Sequence, residues 1–144
     1  MNELQVFKNQ EFDPIKQIER SRSSDYIGFI YVLEWGDAVK IGSTMYPYKR
    51  LCALKRQAES YGNIKLGNFA LSQEHTNYKE NERKLHDYFR KFRKKNTELF
   101  DVSIRHVALA ISECVSFSDE SEVIEQKSKD ACDMFKRLLM GAKR

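Results

Sequence analysis

Apolar and polar positions follow a strand pattern on both sides of a short turn in the first third of the chain. Residues 27–34 are rich in β-branched and aromatic side chains, residues 35–37 read Trp-Gly-Asp, and residues 38–42 resume the strand pattern. Two such segments separated by a short glycine-containing turn are typical of a β-hairpin. We therefore expect two paired antiparallel strands in this region.

Helical and strand patterns alternate after the hairpin. Pro47 suits the first turn of a helix, and apolar residues recur at helical spacing until about residue 60, where Gly62 is placed to end the helix. Residues 64–71 return to a strand pattern. The next helix is expected over residues 77–94, so the order of elements is β-β-α-β-α.

The second predicted helix carries an acidic residue among its apolar positions. Tyr78, Leu85, Phe89 and Phe92 form the apolar stripe. On a helical wheel Glu82 lies about 20° from Phe89 and about 40° from Tyr78, so its carboxylate points toward the core side. An unpaired buried charge is costly, so Glu82 is expected to have a partner.

The two ends of the chain are predicted to flank this core. Residues 1–25 contain Pro14 and end in a polar run, which is typical of a short arm followed by a linker. Residues 102–144 contain two amphipathic helical patterns, the second at about 124–138. These helices are expected to cover the sheet or, alternatively, to offer an apolar face to a host protein or to a second copy of the chain.

The predicted fold is α/β: a small, mainly antiparallel three-stranded sheet flanked by helices, with extra C-terminal helices. The sheet and its first helices should occupy residues 26–101. A chain of 144 residues with 41% hydrophobic content has room for one ordinary domain. Because no apolar run approaches the length of a membrane helix, we expect a cytoplasmic protein with no membrane partner. The three cysteines are widely spaced, and we interpret them as reduced core thiols.

Positive charge is concentrated in the middle of the chain. The formal net charge is only +4, but residues 39–95 contain 14 basic and 5 acidic side chains, and both flanking segments are net negative. A dense basic block suits a polyanionic partner, here DNA, through contacts with phosphate groups. The alternative for each single cluster is a solvated helix face. The residues expected to bind nucleic acid are Lys49, Arg56, Arg90, Lys91, Arg93, Lys94 and Lys95.

Five short motifs occur in a recognisable order along these elements: Gly28-Phe29-Ile30-Tyr31, Lys40-Ile41-Gly42, Arg50, Glu82-Arg83-Lys84-Leu85-His86 and Thr97-Glu98-Leu99-Phe100. Together they resemble the GIY-YIG nuclease superfamily. The likeness is greatest to a phage-rich branch in which the second triplet reads K-I-G. The resemblance covers roughly half of the chain and implies a metal-dependent DNA endonuclease that hydrolyses phosphodiester bonds.

The resemblance also implies roles for individual residues. Tyr31 matches the tyrosine of the first triplet and would orient or deprotonate the attacking water. Arg50 matches the helix arginine, and its guanidinium can stabilise negative charge on a phosphate. Glu82 matches the metal-binding glutamate, since one carboxylate with waters and a substrate phosphate commonly holds Mg²⁺, or Mn²⁺ in its place. Each of the three also has a structural interpretation, as a strand aromatic, a solvated arginine or a salt-bridged carboxylate.

Two candidate catalytic residues depart from the superfamily pattern or lack a clear role. Lys40 stands where most members have a second tyrosine, so a phenolic role cannot be transferred, and a lysine there could contact phosphate instead. His86 completes the E-x-x-L-H motif as either a proton carrier or a structural hydrogen-bonding group. Asn96 lies near the position at which many members of the superfamily have an asparagine late in the domain.

The first dozen residues, through Phe12, resemble the opening of the Bro-N domain of phage antirepressors, which indicates a phage or prophage source. Two further hypotheses therefore stand beside the nuclease. The same fold could bind DNA as a regulator without cutting it, or it could occupy a host defence complex through the C-terminal helices.

Overall fold

The computed structural model describes residues 4–8, 12–21 and 27–114. One antiparallel sheet contains five strands in the order β1-β4-β2-β3-β5. The strands are β1 (Gln5–Phe7), β2 (Phe29–Trp35), β3 (Ala38–Thr44), β4 (Leu66–Leu71) and β5 (Leu99–Phe100). The helices are α1 (Phe12–Arg20), α2 (Pro47–Ser60), α3 (Tyr78–Tyr88) and α4 (Ile104–Cys114), with a 3₁₀ turn at Arg90–Phe92. The predicted α/β class is confirmed.

The predicted hairpin forms the centre of the sheet. β2 and β3 pair from Phe29 opposite Thr44 to Trp35 opposite Ala38. Gly36 in the turn has a φ of +62°, a conformation that glycine adopts without a steric penalty. The hairpin and α2 therefore follow the local sequence signals closely.

The sheet is wider than the three strands predicted. β1, in the segment interpreted as an arm, pairs with β4 through Val6 and Ala70. β5 pairs with β3 through Val39 and Phe100. These two edge strands contain only three and two residues, too few to show an alternating pattern in the sequence. Only contacts with distant strands define them.

The two faces of the sheet are covered by different helices, because successive residues of a strand point to opposite sides. Ile30 and Val32 pack on one face with Leu85 of α3 and Ile111 of α4. Residues on the other face, Tyr31 among them, pack with residues of α1 and α2, including Ile15, Leu51 and Leu54. The chain therefore forms three layers, with helices on both faces.

Several sequence predictions fall partly or wholly outside the described residues. The helix predicted at about residues 124–138 lies outside them, and so do Cys132 and the side chain of Cys114. Cys52 is half-buried and forms no disulfide. No helix among residues 4–8, 12–21 and 27–114 has the length and apolarity needed to span a membrane.

The loop between β4 and α3 is fastened to the start of β2. Ser72 accepts a hydrogen bond from the Ile30 amide at 2.9 Å, and His75 exchanges backbone hydrogen bonds with Gly28. The His75 ring is fully buried and lies 3.3 Å from the Asn81 amide nitrogen. Burial disfavours its protonated form and lowers the pKa of His75 to about 4.

Stability is expected to fall as the pH drops from about 6.5 to about 4, because His75 takes up a proton more readily in the unfolded chain. Over this window the unfolded state binds more protons, so acid favours unfolding by on the order of 3 kcal/mol. Urea unfolding at about pH 7 and about pH 4 measures the loss. His75→Gln should show a smaller loss across the same window, and an unchanged pH dependence in this variant would contradict the assignment.

Candidate functional site

A cleft beside α3 contains the Glu82 carboxylate. The cleft has a volume of about 430 Å³ and is lined by Lys79, Glu82, Arg83, His86, Asp87, Arg90, Arg93 and Glu98. Glu82 is about a quarter exposed, and its Oε2 accepts a hydrogen bond from the Ser43 hydroxyl at 2.7 Å. The partner that the helical wheel required for Glu82 is therefore a hydroxyl of β3, which orients the carboxylate without neutralising it.

Tyr31 lies on the opposite face of the sheet, directly across from Gly42 of β3. Its phenol covers this glycine so closely that a Cβ atom at position 42 would lie within 2.7 Å of ring carbons of Tyr31. Gly42 thus permits the approach of the hydroxyl to the β3 backbone. Packing against the Tyr31 ring therefore explains why the second triplet has a glycine at position 42.

The charges of three residues from separate elements act on the Tyr31 hydroxyl. Burial raises the pKa of Tyr31 well above its ordinary value. The positive charge of Arg50 on α2 opposes this rise, whereas the negative charges of Glu98 and Glu82 reinforce it. Arg50 and Glu82, which were predicted to share the chemistry with Tyr31, therefore both lie within electrostatic range of its hydroxyl, but neither Tyr31 nor Arg50 lines the Glu82 cleft.

The Gly42–Ser43 segment of β3 is where groups from the two faces approach each other. β5 pairs with β3 only at Val39 and Lys40, so it does not cover this end of the strand with paired backbone. The Tyr31 phenol packs over Gly42 on one face of the sheet. On the other face, the Ser43 hydroxyl donates a hydrogen bond to Glu82.

Lys40 forms an ion pair with Glu98, a residue for which the sequence predicted no role. Its Nζ lies 3.4 Å from Oε2 of Glu98 and 5.8 Å from the centre of the Trp35 ring. Glu98 is half-exposed and also lines the Glu82 cleft. Its only sequence signal was its place in the Thr97-to-Phe100 motif. Glu98 therefore links Lys40 to the cleft.

The imidazole of His86 is fixed by the backbone of β3. Its Nε2 lies 2.7 Å from the Ile41 carbonyl oxygen, which can only accept, so Nε2 carries a proton and donates. The ring packs against Phe100 with centroids 5.0 Å apart, and Nε2 lies 3.9 Å from Oε1 of Glu82. This arrangement gives His86 a structural hydrogen bond and leaves Nδ1 of the neutral ring as an acceptor.

The residues predicted to bind nucleic acid fall into two groups. Arg90 and Arg93 line the Glu82 cleft. The others are exposed at neighbouring or separate positions: Lys91 and Lys95 beside the 3₁₀ turn, Lys94 paired with Asp37 at 3.1 Å, Lys49 over the Tyr46 ring, and Arg56 on α2. Asn96 is exposed in a turn with a φ of +58°, which asparagine tolerates better than most residues.

Neutralising the two cleft arginines, as Arg90→Gln/Arg93→Gln, is expected to weaken DNA binding and to flatten its salt dependence. Each lost phosphate contact should reduce the slope of log K against log salt concentration by about 0.9. Fluorescence anisotropy with labelled duplex DNA across a salt series measures the slope. Lys55→Gln/Lys65→Gln is a matched control, because these lysines line a separate groove between α2 and β4. Equal slopes in the two double variants would contradict a special role for the cleft.

The donor set at Glu82 fits a hard divalent cation. Mg²⁺ is commonly bound by one or two carboxylates together with waters and substrate phosphates. Glu82 offers one oriented carboxylate in an open cleft, and the arginines around it suit phosphate. Within the part of the chain that the structure describes, no group of three or more His, Cys, Asp or Glu side chains is placed to hold a metal. The protein would thus supply few ligands and the substrate and solvent the rest.

Comparison with known proteins identifies one family. Residues 28–132 match the model of the T5orf172 domain, which covers well over half of the chain. The match begins at Gly28, the first residue of the first motif, and includes every residue placed around the cleft. Searches of curated proteins and of solved structures found no significant match.

Proposed function

Because the chain belongs to the T5orf172 domain family, a phage-associated family related to nuclease-type domains, we propose that it is a Mg²⁺-dependent DNA endonuclease of the GIY-YIG type. The observation that carries the proposal is the cleft in which one oriented carboxylate, Glu82, lies among arginines. Metal-dependent hydrolysis of a phosphodiester uses a cation site and positive charge around the phosphate. On this proposal, the K-I-G form of the second triplet supports membership of the phage-rich branch of that superfamily.

The role of each side chain follows from its position. Mg²⁺, when bound at Glu82, would polarise the scissile phosphate and neutralise developing charge. The Ser43 hydroxyl holds Glu82 in the orientation needed for binding. Arg50 contacts phosphate oxygens with its guanidinium, which is exposed on α2.

Tyr31 acts as a neutral phenol rather than as a phenolate base. Burial raises its pKa, so the hydroxyl keeps its proton at neutral pH and orients the attacking water by hydrogen bonding. Lys40 of β3, paired with Glu98, stands in place of the second tyrosine and supplies positive charge on that strand. His86 keeps Nε2 on the Ile41 carbonyl and thereby fixes α3, and with it Glu82, against β3.

A supercoiled plasmid tests the proposal directly. The purified protein should convert it to nicked or linear DNA with Mg²⁺ or Mn²⁺ and not with EDTA. If neither the plasmid nor a duplex with a single-stranded flap is cut under any metal condition, the proposal is overturned.

The burial of Tyr31, only 2% exposed, favours a second function of another class. A phenol so enclosed has little room for the attacking water, and the same basic surface would still bind DNA. The protein would then be a phage regulator that binds DNA without cutting it, in keeping with the antirepressor-like N-terminal segment. Salt-sensitive binding of DNA together with an intact plasmid would support this function.

A further inference from the structure

An exposed aromatic side chain interrupts the basic segment that borders the cleft. Phe92 was expected on the apolar stripe of the helix predicted over residues 77–94, but it is 52% exposed. The nearest phenylalanines before and after it in the sequence, Phe89 and Phe100, are buried in the core. Leaving a phenylalanine in water forgoes the free energy that burial would provide. Phe92 lies between Arg90 and Arg93, both of which line the cleft. An apolar ring is therefore exposed in a segment whose flanking arginines line the cleft.

The backbone around Phe92 is held rigidly. The Phe92 amide donates to the Phe89 carbonyl at 2.8 Å, and the Phe92 carbonyl accepts from the Asp101 amide at 2.8 Å. Arg93 forms a bridge to Phe100 of β5, and the Lys94 amide donates to Leu99. The ring is thus carried by a segment anchored on both sides to the sheet. A pre-ordered aromatic loses little conformational entropy when a ligand packs against it.

A positively charged surface that also presents an aromatic ring suits unpaired bases. Stacking on an aromatic side chain is open to every base, but only when the base is not already stacked within a duplex. Lys91 and Lys95 are exposed beside Phe92 and add phosphate-binding groups along the same segment. Tyr88, half-exposed four residues earlier, adds a second aromatic ring to the segment.

We propose that Phe92 is a stacking platform for an unpaired base next to the cleft, so that the substrate is DNA with a single-stranded stretch, such as a flap, gap or loop. The inference rests on the proposed DNA endonuclease function and specifies its substrate class. Arg90 and Arg93 hold the phosphates that flank the stacked base.

Binding measured in EDTA tests the platform without requiring cleavage. Labelled oligothymidine and a duplex of equal length are titrated with wild type and Phe92→Ala. The variant should bind oligothymidine roughly 5- to 150-fold more weakly, the range for loss of one base–aromatic contact, with little change for the duplex. The salt slope should not change, because no charge is removed. Phe92→Trp should restore single-strand affinity.

Tyr61→Ala is the matched control, because Tyr61 is an exposed aromatic at the end of α2, away from the cleft-lining residues. It should bind both DNAs as the wild type does. Wild-type affinity of Phe92→Ala for oligothymidine, an equal loss for duplex, or no binding of oligothymidine by the wild type would each overturn the proposal. A separate failure to cut both plasmid and flap-containing duplex DNA with Mg²⁺ or Mn²⁺ would overturn the endonuclease and leave this binding result standing.

Discussion

Glu82→Ala is expected to abolish Mg²⁺-dependent nicking of plasmid DNA while DNA affinity in EDTA stays nearly unchanged. The carboxylate is the only proposed protein ligand of the cation, so its removal eliminates the group that anchors Mg²⁺ beside the phosphate. A carboxylate without its cation contributes nothing to phosphate binding. The rate should fall by at least roughly 10²- to 10³-fold, the loss typical when one transition-state-stabilising group is removed.

Glu80→Ala provides the control for this experiment. Glu80 lies on the same helix but is exposed and paired with Arg83, which lowers the pKa of the Glu80 carboxyl. Its removal should leave nicking close to the wild-type rate. Nicking by Glu82→Ala at the wild-type rate would exclude Glu82 as the metal ligand. Equal losses in the two variants would point to a general charge effect of α3.

Gly42→Ala is expected to lower the free energy of unfolding by about 1–3 kcal/mol and to impair nicking as well. The new methyl group would overlap the Tyr31 phenol, which is buried and packs against Phe69 at 5.9 Å between ring centres. To remove this overlap, either the ring or β3 must shift, and overpacking of this kind typically costs about 1–3 kcal/mol. Either shift also moves the hydroxyl or the adjacent Ser43 that orients Glu82. Urea unfolding and plasmid nicking measure the two effects.

A double-mutant cycle with Tyr31→Leu separates this overlap from other effects of the alanine. Leucine lacks the ring that would meet the new methyl group, so Gly42→Ala should be less destabilising in that background. The coupling free energy reports the contact between positions 31 and 42. Additive losses would show that alanine acts on the β3 backbone itself and not through Tyr31.

Local sequence patterns determined the elements that carry most of the candidate site. Turn composition and alternation predicted the hairpin, and Pro47 with helical spacing predicted α2 to its last residue. The placement of Glu82 on the core side of its helix anticipated that the carboxylate would have a partner. The predicted helix over residues 77–94 proved shorter, because after Tyr88 the backbone tightens into the 3₁₀ turn. The spacing of apolar residues and the composition of turns depend on residues only a few positions apart, so a single sequence shows them directly.

The hydrogen-bond and ion-pair partners of the site residues could not be predicted from local sequence patterns. Ser43 and Glu82 are 39 positions apart, and Ile41 and His86 are 45 apart. Glu98 reaches Lys40 only because a two-residue strand, invisible to periodicity, pairs with β3. The sequence by itself placed Leu85 and Phe89 on the buried side of their helix, with Glu82 beside them. The tertiary structure alone decided that Tyr31 and Glu82, on opposite faces, approach at Gly42–Ser43, because register and edge pairing depend on contacts between segments far apart in the chain.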